Sequence, residues 1–320
     1  MMRYKPMLPT LTSELPSGSD WCFEIKYDGF RSLLYIDKNL IDLYSRNLRS
    51  LTTEFPEIME KAKDIQRNKK DSLPLLLDGE LCILESDTKA SFASIQKRGR
   101  LKKEATIRER AANTPATLLV FDLLTLSGRT LKNQPYRERK HQLETLMNDL
   151  SCPLVSVNDQ SRIQWIPSFQ DGSQLFERVK DAKGEGVVAK RKNSLWLAGK
   201  RTNDWLKVKR LYRSIFIVIG FDEGNGYVHV GILLDDKVQP IGLFSHGLEG
   251  KEREALIQIV KKNQVGKTGN RITVNPRICV ELEFLELYQM QLRHPRFIQF
   301  RLDIHWEDCT WEALQKQMEN

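Results

Sequence analysis

At 320 residues the chain is long enough for two domains, because single cores stop growing at roughly 250–300 residues. A composition of 40% hydrophobic and 29% charged residues supports packed cores and excludes wholesale disorder, and no stretch approaches the roughly 20 apolar residues of a membrane helix. The net charge of +8 and pI near 9.1 point equally to a polyanionic partner and to a solvated basic surface.

The start, Met1-Met2-Arg3-Tyr4-Lys5-Pro6, is basic but has no apolar run behind it, so a secretory leader is not expected and a cytoplasmic protein is. Between Trp21 and Ser45 the apolar runs Phe23/Ile25, Leu33 to Ile36 and Leu40 to Tyr44, with a turn at Asp37-Lys38-Asn39, predict an antiparallel meander. Ile58, Met59, Ala62 and Ile65 at helical spacing predict a helix over 54–67. Leu75-Leu76-Leu77 and Leu81-Cys82-Ile83-Leu84 flank Asp78-Gly79-Glu80 and predict a buried strand holding carboxylates, an arrangement that needs a partner. Residues 91–112 combine helical spacing with Lys97, Arg98, Arg100, Lys102, Lys103, Arg108 and Arg110, either a solvated face or a phosphate-contacting one. Further strands are expected at 117–126, 186–190 and 205–209, and helices at 137–148 and 172–182.

After Lys209 the character changes. A short basic connector leads into apolar runs at 215–221, 227–233, 239–244 and 278–287, broken by one helix at 249–262, the pattern of a small β-barrel such as an OB-fold. The boundary is placed near residue 210.

The five cysteines are scattered and the five histidines show no zinc spacing, so any metal is expected on carboxylates. Lys26 ends an apolar run just before Asp28-Gly29, and a lysine amine becomes a nucleophile only where desolvation or nearby cations lower its pKa. Lys207 and Lys209 alternate on one predicted strand and so share a face, which suits a phosphate ligand. Glu80 and Glu185 lie beside glycines and, with Asp28, make a candidate oxygen-rich site for Mg²⁺. Together these groups describe metal-assisted nucleotidyl transfer. Taken singly, each is as readily a salt-bridge partner or an exposed polar face.

Lys26-Tyr27-Asp28-Gly29 resembles the K-x-D-G signature of the covalent nucleotidyltransferases. Five further segments follow in the family's order: Ser45-Arg46-Asn47, Asp78-Gly79-Glu80, Phe121-Asp122-Leu123-Leu124, Glu185-Gly186-Val187-Val188-Ala189-Lys190 and Trp205-Leu206-Lys207-Val208-Lys209. Within that superfamily the chain resembles the ATP-dependent ligase domain of bacterial ligase D over nearly its whole length, including Gly199-Lys200-Arg201-Thr202-Asn203-Asp204-Trp205 and Leu292-Arg293-His294-Pro295-Arg296-Phe297. The resemblance implies an α+β chain: an antiparallel, ATP-grasp-like nucleotidyltransferase (adenylation) domain over 1–210, then an OB-fold over 211–320.

It also implies a DNA ligase that uses ATP and Mg²⁺ or Mn²⁺ to seal 5′-phosphate/3′-hydroxyl breaks through a lysyl-AMP on Lys26. Position by position, Glu24 and the Lys26 backbone would lie near adenine, Arg31 and Arg46 near ribose and phosphate, and Glu80 at the ribose. Phe121 would stack on the base, worth about 1–3 kcal/mol. Glu185 would hold the metal with Asp28 and Glu80, and Lys207 and Lys209 the α-phosphate, with Lys190 and Arg301 completing the nucleotide site. One departure is visible: the family's last motif is R-x-D-K, whereas Arg301-Leu302-Asp303 is followed by Ile304. The expected partners are nicked or broken duplex DNA and the end-binding protein Ku, with no membrane and a monomeric chain at the bacterial nucleoid. The rivals are a GTP-using capping enzyme, an RNA ligase and a non-catalytic DNA-bridging module; an NAD-dependent ligase would need a Cys-rich zinc module this chain lacks.

Overall fold

A computed structural model describes residues 3–319. The chain forms two compact units, one ending at Lys209 and one beginning at Arg210, and each buried apolar cluster lies wholly within one unit.

The first unit is built on two sheets. The larger is ordered Ile163–Trp165, Thr117–Leu126, Leu75–Cys82, Phe30–Ile36, Ile41–Ser45, with the short Arg129–Thr130 strand on Thr117–Leu126. Thr117–Leu126 is a near-continuous apolar run because both its faces are covered. Its alternate residues divide between two cores. Leu118, Val120 and Leu123 pack with the helices Pro56–Asn68 and Tyr136–Asp149, while Leu119, Phe121 and Leu124 face the second sheet. Pro56 at the first turn and Glu57 beside it suit the helix start, where amide donors have no carbonyl partners.

The second sheet is ordered Leu8–Leu11, Arg201–Lys209, Gly186–Arg191, Trp21–Lys26. Its outer face is covered by the helix Gly172–Asp181, whose start is capped by Asp171 accepting from the Gln174 amide at 2.9 Å. The expected meander over 21–45 is therefore corrected. Phe30–Ile36 and Ile41–Ser45 do pair antiparallel, but Trp21–Lys26 pairs with Gly186–Arg191 in the other sheet. The chain changes sheets at Tyr27-Asp28-Gly29, where a side chain on Gly29 would meet the Leu81 carbonyl at 2.4 Å.

The second unit holds an antiparallel sheet ordered Lys237–Phe244, Val228–Leu234, Tyr212–Asp222, Arg271–Val274, Gln264–Thr268; Cys279–Phe284 also pairs with Tyr212–Asp222, and Arg296–Phe300 with Cys279–Phe284. The helix Gly250–Lys262 packs Leu256 and Val260 into its core. One expectation for this part is corrected. A second helix, Trp311–Glu319, inserts Leu314 into the same core. The last strand ends at Phe300, and Arg301 to His305 is turn and loop before the short 3-10 helix Trp306–Asp308.

Candidate active site

The second sheet gathers three strands whose register sets the site. Gly186 lies opposite Lys26 on one side and Lys209 on the other; Val188 lies between Glu24 and Lys207; Lys190 lies between Cys22 and Trp205. Side chains two apart on a strand share a face, so Glu24, Lys26, Lys190, Lys207 and Lys209 all emerge on the face turned to the larger sheet. On that sheet Arg31, Glu80 and Phe121 alternate with residues of the helix-covered core, and so face back. Gly186 fits its row because a Cβ there would lie 2.1 Å from the Val208 carbonyl oxygen.

Between the sheets lies a cavity of about 160 Å³ lined by Glu24, Lys26, Arg31, Arg46, Glu80, Phe121, Lys190 and Lys207 among the expected residues. Leu8, Pro9, Ile25, Tyr27, Ile166, Val188 and Trp205 complete its walls. That volume equals the share of about five water molecules, room for a nucleobase. Of the other expected residues, Glu185 forms an ion pair with Lys26, and Lys209 forms one with Glu185. Arg301 belongs to the second unit, where it pairs with Asp303 and Glu281.

Lys26 Nζ donates to Glu185 Oε2 at 2.6 Å, and Lys209 Nζ lies 3.1 Å from Glu185 Oε1. Burial works against the Lys26 ammonium, but Glu185, Glu80 and Asp28 outweigh it and raise its pKa. In this state the lysine is charged and is not a nucleophile. Lys207 differs: burial, then Lys209, Lys26 and Arg201, bring it down to about 8. A face carrying Lys26, Lys207 and Lys209 favours an anion. Glu80 is pushed up to about 7 by burial and the nearby Glu185 and Asp28, although Lys26 and Arg31 pull the other way.

These crowded carboxylates fit a divalent cation that takes its remaining ligands from phosphate and water, as Mg²⁺ commonly does. They do not form a complete cage, since no group of three or more metal-ligating side chains occurs among the described residues.

Arg31 is oriented by a buried carboxylate. Its Nε and Nη2 donate to Asp78 at 2.6 and 2.8 Å, and Asp78 also accepts from Trp196 Nε1 at 3.0 Å. The guanidinium lies 4.2 Å from the Phe121 ring centroid, and Lys190 Nζ lies 4.4 Å from the same centroid. Glu24 is almost fully buried and accepts from Tyr136 Oη, Lys140 Nζ at 2.7 Å, Ser168 Oγ at 2.9 Å and Lys190 Nζ at 2.5 Å. Burial alone would raise its pKa, but the Lys140 and Lys190 ammoniums hold it at about 2.

Asp78 was visible in sequence as a carboxylate needing a partner, whereas Lys140, Tyr136 and Ser168 carried no signal. Lys140 is one of four consecutive charged residues, Arg137 to Lys140, and only the fold distinguishes the two that are buried. The basic segment 91–112 is also revised. It forms helices Phe92–Arg98 and Glu104–Asn113, and Arg98 is withdrawn from the surface, donating to Glu57 Oε1 at 2.8 Å beneath the Phe55 ring. Arg100, Lys102 and Lys103 remain exposed.

Residues 6–209 match the family described as ATP dependent DNA ligase domain. The chain belongs to that family. It is 37% identical over 310 residues to the bifunctional non-homologous end joining protein LigD of Bacillus subtilis, an alignment covering 96% of this chain and 51% of that protein. It is 28% identical over 326 residues to DNA ligase 2 of Methanosarcina mazei, covering 94% and 55%. Among solved structures, mycobacterial DNA ligase D complexed with ATP and MES superposes with a TM-score of 0.55 at 27% identity, covering 96% of this chain and 98% of that one. The chain spans about half the length of the curated relatives it matches. With the family settled, the mixed α+β architecture with antiparallel sheets is that of the ligase D ligase domain.

Proposed function

We propose that the chain is an ATP-dependent DNA ligase that seals 5′-phosphate/3′-hydroxyl breaks in duplex DNA, working in repair or end joining. The observation that carries this reading is the row of Lys26, Gly186 and Lys209 at a ring-sized cavity, with Lys207 one row away. A nucleophile, anion-binding cations and a base-sized slot meet there.

In the first step Lys26 Nζ, having shed its proton, forms a P–N bond to the α-phosphorus of ATP while the bond to the β-phosphate oxygen breaks and pyrophosphate leaves. Glu80, with a pKa near 7, is able to hold a proton near neutrality. Lys207 and Lys209 offset charge developing on the α-phosphate. The DNA 5′-phosphate then attacks the same phosphorus and releases Lys26, and the 3′-hydroxyl attacks the 5′-phosphorus and releases AMP. A divalent cation, Mg²⁺ or Mn²⁺, would supply charge neutralisation of the triphosphate; Glu185 is assigned to hold it, with Asp28, and with Glu80 when that carboxyl is ionised, while phosphate and water complete a coordination that these side chains do not close by themselves. Glu24, Arg31, Arg46, Phe121 and Lys190 are assigned to the nucleoside end of the pocket.

On this reading the first unit is the adenylation domain with an ATP-grasp-like core. The second is an OB-fold, consistent with its antiparallel sheet and the helix between Lys237–Phe244 and Gln264–Thr268. Ku is the partner proposed at broken ends, by analogy with the end-joining relatives.

The test is labelling with [α-³²P]ATP and Mg²⁺, followed by nick sealing. The chain should acquire a covalent label, stable to alkali and released by acid as a P–N bond is, that GTP and NAD do not give. Lys26→Ala should lose labelling and sealing, a loss of at least about 10³-fold, and keep its affinity for nicked DNA. Sealing retained by Lys26→Ala would remove the nucleophile from this scheme.

A further inference from the structure

Beneath the cavity, Glu24 is gripped unevenly. Among the described residues, Oε1 receives three donors, Tyr136 Oη, Lys140 Nζ and Ser168 Oγ, while Oε2 receives one, Lys190 Nζ. A carboxylate oxygen offers two lone pairs, so Oε1 is saturated and Oε2 keeps room for a further donor. Glu24 and Lys190 both line the cavity, whereas Lys140 and Tyr136, from the helix Tyr136–Asp149, do not. Lys140 also donates to the Ile166 carbonyl at 2.5 Å, and Ile166 is another cavity wall. One buried ammonium thus ties together two strips of the cavity wall.

We propose that Lys140 is a positioning residue that fixes Glu24 as a charged acceptor, leaving Oε2 for the exocyclic amine of a 6-aminopurine and making the cavity reject purines with a carbonyl at C6. The proposal rests on the nucleotidyl-transfer reading above. Its logic is one of complementary donors. An ionised carboxylate accepts only, so it pairs with the amine of adenine and opposes the O6 of hypoxanthine. A protonated carboxyl could instead donate to that O6, and the distinction would vanish. Glu24 is nearly fully buried, where the neutral form is favoured, and Lys140 and Lys190 reverse that preference. Lys190 serves as one of the two cations but touches the cavity itself; Lys140 acts from behind, so its effect can be separated from ligand contact. The other titratable groups near this carboxylate, Tyr136 and Cys22, are both raised by burial and stay neutral.

The test compares self-labelling of the full chain by ATP and by inosine triphosphate, which carries the C6 carbonyl and lacks the 2-amino group that complicates GTP. The wild type should prefer ATP by about 10²-fold or more in kcat/KM, as sites built around a specific hydrogen bond do. Lys140→Met should raise KM for ATP by about tenfold, change the rate at saturating ATP less than about threefold, and reduce the ATP-over-inosine ratio by about tenfold. Lys140→Arg should restore most of that ratio. Ser168→Ala, which removes one Oε1 donor and no charge, should lower it by about two- to threefold and serves if Lys140→Met fails to fold.

An unchanged ATP-over-inosine ratio in Lys140→Met, or in Ser168→Ala should the first not fold, would overturn the positioning role even if stability fell. A wild type labelled by neither nucleotide would overturn the nucleotidyl-transfer reading and this proposal with it, a result distinct from labelling without selectivity, which overturns this proposal alone.

Discussion

Lys207 shows how a cluster of like charges is held at the expense of stability. Its ammonium shares a sheet face with Lys26 and Lys209 and is partly buried, and burial followed by those neighbours lowers its pKa to about 8. The sign follows directly. A base whose folded pKa lies below its unfolded value of 10.5 binds fewer protons when folded between about pH 8 and 10.5, so the unfolded chain gains less from protonation as pH rises through that window. The penalty is complete below about pH 8 and gone above pH 10.5. Lys207→Gln should therefore raise the melting temperature of the ligand-free chain at pH 7 by about 1–3 °C. It should give a smaller rise at pH 10, and it should weaken nucleotide binding. Differential scanning fluorimetry at the two pH values checks the first part, and a lower melting temperature at pH 7 would show that Lys207 is stabilised by a partner instead of strained by its neighbours. Lys26 itself is the opposite case, since Glu185 satisfies its charge. On the proposed function, a phosphate entering beside Lys207 would give that residue the counter-charge that Lys26 already has.

Elements were legible where a single periodicity governs them. The helix over Pro56–Asn68, the strand Thr117–Leu126 and the second half of the strand Arg201–Lys209, from Trp205 on, were readable from apolar spacing, and the grouping of Lys26, Glu80 and Lys207 around one cavity was readable from their neighbours. Sheet membership was not legible for Trp21–Lys26, because hydrophobic alternation says which face is buried and never which strand lies alongside. Burial of long cations was invisible for the same reason. Arg98 reads as one of a basic run, yet its side chain is 3% exposed against a Glu57 that is 7% exposed. Arg98→Ala should cost about 3–5 kcal/mol, because it leaves the Glu57 carboxylate buried without its cation. Lys102→Ala and Lys103→Ala should each stay within about 0.5 kcal/mol. Chemical denaturation of the three variants separates the two halves of the segment, and equal effects would return Arg98 to the surface. Under the ligase reading the exposed half meets DNA. Neutralising Arg100, Lys102 and Lys103 together should reduce the slope of log K against log salt by about 2–3, at about 0.9 per phosphate lost. An unchanged slope would leave those residues as a solvated face.

At the scale of the whole molecule, the decisive feature is that the buried clusters stop at the boundary between Lys209 and Arg210. Two separate cores allow two unfolding transitions, since cooperativity follows shared burial. The cavity, the lysine row and the Glu24 network all belong to the first unit. A nucleotide that occupies the cavity therefore stabilises that unit by mass action and leaves the second to melt at its own temperature. Scanning calorimetry of the full chain should resolve two transitions. An α,β-methylene analogue of ATP, which cannot transfer its nucleotidyl group to Lys26, should shift one of them upward by about 2.7 kcal/mol at 100 times its dissociation constant. The shifted transition is identified by substitution: Trp205→Phe, inside the first unit and on the cavity wall, should lower the same transition, and Leu256→Ala, inside the second core, should lower the other by about 2–5 kcal/mol. A single transition moved by both substitutions would mean that the two cores unfold as one, and that nucleotide loading is felt across the whole chain through stability alone.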